Sequence, residues 1–274
     1  MYYRMFSFLL PLTLVAGIIC FAALAEDSHH SAPSTPTLLI AATPGALNAG
    51  EEYSGVLTLQ SGAAPLTLAG LEERHTQKIH LLVIDQSLGD YHHLHPTAGV
   101  KPGEYKFSFT PRTGHNYRVY ADVKPLGAGP QMVMTEIKGN APCDKPCIDR
   151  NTGDIASVGN IAARVQFAAT PVVAGTPVDA TIELKDEKGN PLADLEPVMG
   201  AYGHIVGFYA EGEGVAHMHP SGDEPTKPTD RGSSPLRFML HPDHAGYLKY
   251  FVQIRRGGEE IFLPFGLYIE KPKS

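Results

Sequence analysis

Tryptophan is absent from this 274-residue chain, cysteine occurs three times, and charged residues make up only 19% of it. Past the first 25 residues no stretch keeps apolar residues at a sustained helical period, which excludes bundles and coiled coils. Gly-x-Ser-x-Gly, His-Glu-x-x-His and phosphate-loop patterns are missing too, so the commonest hydrolase, zinc-protease and nucleotide-binding signatures are not there. Basic residues are outnumbered 22 to 29, a net charge of −7. An acidic chain repels polyanions, which argues against nucleic acid or an anionic membrane surface as partner.

There is one long apolar run, Phe6 to Leu24; it follows Arg4 and ends at Ala23-Leu24-Ala25. That is the layout of a secretory signal peptide, 1–25, with no stable membrane insertion after cleavage. A retained anchor is the other reading. Cleavage would remove Cys20 and leave Cys143 and Cys147, for which a local disulfide is expected in an oxidising compartment, periplasmic or secreted. Their Cys-x-x-x-Cys spacing is also similar to the copper site of Sco-type assembly proteins, so a ligand pair is the alternative.

What the chain has in quantity is turn chemistry, with 28 glycines and 23 prolines, between short alternating segments such as Tyr53 to Leu59, Tyr105 to Phe109 and Tyr117 to Val123. These are half-buried strands. Residues 26–36 are too polar to pack and read as a disordered leader. The strand pattern then runs twice. Ile79-His80-Leu81-Leu82-Val83-Ile84 returns as Gly203-His204-Ile205-Val206-Gly207-Phe208, and Tyr117 to Val123 returns as Leu248 to Ile254. Landmarks repeating in order at near-constant offset indicate an internal duplication. The expected fold is all-β, with two tandem immunoglobulin-like β-sandwiches at 37–138 and 161–274, joined by a linker, 139–160, that holds the cysteine pair.

The duplication singles out six of the 13 histidines. His93-Leu94-His95-Pro96 recurs as His217-Met218-His219-Pro220, and His80 and His204 each lie fifteen residues before the last histidine of their copy. In a strand, residues i and i+2 share a face, so His93 pairs with His95 and His217 with His219. If His80 and His204 sit on the neighbouring strands, each copy gathers three imidazoles, a sufficient set for copper or zinc. The other reading is structural: a His before Pro can brace a strand corner, and a His in an apolar strand is often a satisfied core residue. His92, His115, His241 and His244 lack counterparts and read as surface or accessory residues. Met132 and Met134 align with Ile261 and Leu263, which favours packing over thioether ligation.

Lys78 to Ile84, His93-x-His95-Pro96, Gly103 to Tyr105 and Tyr117 to Asp122 together resemble exported bacterial sandwich proteins similar to YtkA-like and CopC-like periplasmic domains. That resemblance implies metal handling and a partner that is itself an exported metal-handling protein. CopC-like domains use a terminal His, from which this chain departs. The sequence thus leads to a non-enzymatic carrier or buffer of a metal ion, copper before zinc, with a metal-free interaction module as the alternative.

Overall fold

Alternation of apolar and polar residues turns into alternation of buried and exposed ones. In the strand Tyr53–Ser61, the side chains of Tyr53, Leu57 and Leu59 are buried, as the period of two requires. The computed structural model describes residues 36–41, 47–143, 147–212, 214–222 and 224–273. Apart from Pro36, the expected signal peptide and leader lie outside the described residues. Among the described residues no helix is long and apolar enough to cross a membrane.

The first half carries β1 (Pro36–Ala41), β2 (Tyr53–Ser61), β3 (Ala64–Pro65), β4 (Ile79–Asp85), β5 (Tyr91–Leu94), β6 (Thr97–Ala98), β7 (Glu104–Phe109), β8 (Tyr117–Val123) and β9 (Gln131–Ile137). The second carries β10 (Ile155–Val158), β11 (Ile161–Phe167), β12 (Val178–Lys185), β13 (His204–Tyr209), β14 (Val215–Ser221), β15 (Leu236–Leu240), β16 (Gly246–Arg256) and β17 (Glu259–Ile269). The fold is all-β, a pair of sandwiches. In the first half the order β1-β2-β7-β6 faces β5-β4-β8-β9 across a core that includes Leu57, Leu81, Tyr105 and Val119. In the second the strands run β10-β11-β12-β15-β14-β13-β16-β17 as one hydrogen-bonded sheet wrapped around Ile182, Phe238, Tyr250 and Phe265.

The copies differ at the His-x-His-Pro motif. In the first half β5 ends at Leu94, and β6 resumes after Pro96 on the other sheet. In the second, β14 continues through Pro220 to Ser221 and pairs with both β13 and β15.

Register shows how closely the halves repeat. Leu82 pairs with His93 and with Tyr120; Val206 pairs with His217 and with Phe251. Asp122 lies opposite His80, and Gln253 opposite His204. Even the loop closures agree: Gly50 N donates to Pro111 O at 2.7 Å, and Gly175 N to Pro242 O at 2.7 Å. The same registers pair Met132 with Asp122 and Phe262 with Gln253, so the counterpart of Met132 is Phe262, one residue beyond the expected Ile261. Packing is nonetheless its role, since Met132, Met134 and Phe262 all lie against the cluster between the halves.

β10 falls inside the stretch read as linker. Gly159, at φ 58°, and Asn160 close a two-residue hairpin from Val158 to Ile161, a glycine turn that marks a strand pair; the second half therefore begins earlier than expected. Cys143 and Cys147 are joined as a disulfide. The halves do not hang loosely on this connection. Leu82, Ile84, Tyr91 and Tyr120 pack with Val206, Phe208 and Phe251 in a third apolar cluster, and Pro33–Ser274 forms one unit.

Candidate metal centre at the seam

β4 is buried on every residue, so a polar side chain there must find partners inside the protein. His80 is 6% exposed, and its Nε2–H donates to Arg74 O at 2.9 Å. With that nitrogen protonated, Nδ1 carries the lone pair of the neutral ring. It faces His93 Nε2 at 3.1 Å and His95 Nε2 at 3.3 Å. One nitrogen from each of the three rings lies within 4.8 Å of the others.

His93 is fixed from its far side. Its Nδ1 lies 2.9 Å from Gln253 Oε1, and Gln253 Nε2 donates to Glu260 Oε2 at 2.8 Å. A carboxylate only accepts, so the amide nitrogen of Gln253 belongs on Glu260 and its oxygen on His93. His93 is then protonated at Nδ1 and offers the Nε2 lone pair to His80 Nδ1. Two acceptors 3.1 Å apart repel unless a proton or a cation lies between them. A proton is disfavoured, because burial pushes the imidazoles of His80 and His93 below their ordinary value, and that of His95 down to about 4.

A cation fits. Two nitrogens each ~2.0–2.1 Å from one tetrahedral ion are separated by roughly 3.3–3.4 Å, close to the 3.1 and 3.3 Å found here. The tautomers of His80 and His93 are already set by a carbonyl and an amide, the outer hydrogen bonds that orient metal-binding imidazoles. The three imidazoles would hold the ion, and a bound copper or zinc would supply a Lewis-acidic or electron-carrying centre.

The family comparison covers both halves: DUF8832, a domain of unknown function, matches residues 37–136 and 156–271. The chain belongs to DUF8832. The likeness to YtkA-like and CopC-like domains thus remains one of short motifs. No curated protein matches the chain. Among solved structures it is similar to FdeC, an Escherichia coli adhesin, at 16% identity over 87% of this chain and 65% of that one, with a TM-score of 0.27. It is similar to domains 4 and 5 of the S-layer protein SbsC at 13% identity, over 88% and 100% of the two chains, with a TM-score of 0.24. The Yersinia pseudotuberculosis adhesin InvE gives 10% identity over 85% and 58%, with a TM-score of 0.24. This chain spans less than two thirds of FdeC and of InvE. Likenesses this distant carry no functional inference.

Of the six expected ligands, the DUF8832 chain brings His80, His93 and His95 together. His204 repeats the setting of His80: it is 9% exposed, Nε2–H donates to Met199 O at 3.2 Å, and burial lowers its imidazole to about 4. His217 and His219 lie on β14, but their side chains are outside the described residues. A cavity of about 30 Å³ at the seam is lined by His75, His80, His93, Asp122, His204 and Met218, among others.

Two residues beside the cluster, one on the cavity wall and one behind His93, carry no signal in the sequence. His75 sits at the tip of the Arg74–Gln77 bridge with φ 47°, followed by Thr76 at φ 67°, a conformation that hairpins normally give to Asn-Gly. Its ring is 5.3 Å from that of His204 and 6.0 Å from that of His80. Gln253, behind His93, stands out only as the single amide in the run Tyr250 to Ile254. His92 and His115 lie elsewhere, with Nε2 of His92 3.1 Å from Asp90 Oδ1 and Nδ1 of His115 2.7 Å from Asp85 Oδ2.

Proposed function

We propose that this chain is an exported metal-binding protein, a non-catalytic carrier or buffer for copper, with zinc as the second candidate. The observation that carries the reading is the approach of His80 Nδ1 to His93 Nε2 at 3.1 Å with both opposite nitrogens already donating. Three neutral imidazoles without a carboxylate suit copper, and imidazole serves zinc as well. The Cys143–Cys147 disulfide supports export, since such bonds persist in oxidising compartments. His204, His217 and His219 form the second proposed set, supported by the bond from His204 to Met199 O and by the pairing of Val206 with His217. The partner in this reading is another exported metal-handling protein.

One observation favours the alternative, a metal-free interaction module. His80 and His204 each tie a strand to an upstream carbonyl, Arg74 O and Met199 O, as bracing residues would. Metal content of the purified, untagged mature protein separates the two. Near-stoichiometric copper or zinc, of which the first-half equivalent is lost in His93→Ala with His95→Ala, supports the carrier. Absence of metal in the parent, with a lower melting temperature in that variant, supports the brace.

A further inference from the structure

We propose that Gln253 sets the metal affinity of the first-half site from across the seam, so that ion capture and docking of the two halves form one coupled equilibrium. The proposal rests on the metal reading of His80, His93 and His95. All three of those residues belong to the first half, whereas Gln253 lies on β16 of the second.

Gln253 is 2% exposed, and its neighbours along the strand, Tyr250, Phe251, Val252 and Ile254, are buried and apolar. An amide at such a position loses its water and must recover the loss in hydrogen bonds. It has two: Nε2 donates to Glu260, and Oε1 accepts from His93 Nδ1. Glu260, exposed on β17, therefore selects which end of the amide reaches His93. In the first half the same register position holds Asp122, ion-paired to Arg74 of its own half at 3.2 Å.

The chemical consequence falls on His93 Nε2. An acceptor on Nδ1–H holds the ring in one tautomer and makes the other nitrogen a stronger donor; losing such a partner typically weakens metal affinity about 10–100-fold. Undocking the halves removes the acceptor, so the docked protein binds the ion more tightly. By linkage, the ion favours docking by the same factor.

The test is copper affinity of the full chain, measured by competition with a chelator, in the parent, in Gln253→Leu and in Gln253→Glu combined with Glu260→Gln. The double variant exchanges the two groups and keeps an oxygen on His93. Gln253→Leu should bind about 10–100-fold more weakly, and the exchange should restore most of the loss. Glu260→Ala, at an exposed site that leaves folding intact, should weaken binding several-fold by freeing the amide to turn. Unchanged affinity in Gln253→Leu, or in Glu260→Ala should the first variant not fold, overturns the proposal alone. An exchange variant as weak as Gln253→Leu also overturns it, since a packing role would not distinguish the two. A parent chain that takes up neither copper nor zinc removes the metal reading and this proposal together.

Discussion

His80 and His93 meet nitrogen to nitrogen at 3.1 Å, each with its other nitrogen donating away from the contact. Nitrogen-15 spectra of the metal-free protein should therefore show His80 protonated at Nε2 and His93 at Nδ1. Addition of zinc should shift His80 Nδ1 and His93 Nε2 and leave the protonated nitrogens in place. The reverse tautomers would undo the ligand assignment.

Uptake should be divided between the halves. With both sets working, His80→Ala and His204→Ala each remove one metal equivalent out of two, read by elemental analysis of the folded protein. An unaltered metal content in His204→Ala would confine the site to the first half.

Acid should act through Asp90, which is 1% exposed. Burial alone would raise its carboxyl, but the His92 imidazole 3.1 Å away and bonds from Tyr117 and Arg112 outweigh that and hold it well below the usual carboxylate range. A depressed carboxyl contributes stability that is complete above the unfolded value of ~3.9 and is lost as pH falls through the folded one. Asp90→Asn should cost about 2–4 kcal/mol at pH 7. Urea unfolding at pH 7, 5 and 3 should show that gap constant down to pH 5 and narrower at pH 3.

Tyr91 carries a buried hydroxyl with no hydrogen-bond partner among the described residues, and its ring packs on Phe208, Phe251 and Phe262. Removing an unsatisfied polar atom while keeping the ring is neutral or favourable. Tyr91→Phe should leave the melting temperature unchanged or raise it by the equivalent of ~1 kcal/mol; a clear fall would reveal a partner for the oxygen.

Phe208, fully buried, belongs to the cluster between the halves. Phe208→Ala should cost about 3–5 kcal/mol and spread one calorimetric transition into two, because the cores of the halves are separate. A single sharp transition at lower temperature would mean that the halves cannot fold apart.

Strand alternation and the doubled His-x-His-Pro motif carry the fold and the His80, His93, His95 cluster in plain sight, since period and spacing are local properties of a chain. The seam is not local. That Leu82 and Val206 face each other's half, or that Gln253 reaches His93, 160 positions away, depends on how two finished sandwiches dock, and no window of sequence holds that relation. β10 is hidden for a smaller reason: four residues, with Ala156 alone buried, give too short a period to read.

The cluster between the halves draws the same strand positions from each copy, Leu82 with Val206, Ile84 with Phe208, Tyr120 with Phe251. A surface that buries itself against its own duplicate is the isologous contact of a twofold homodimer. A polypeptide with one copy of the repeat would expose that face and cover it by pairing with another molecule, so this chain has the architecture of a dimer written into one strand of covalent structure.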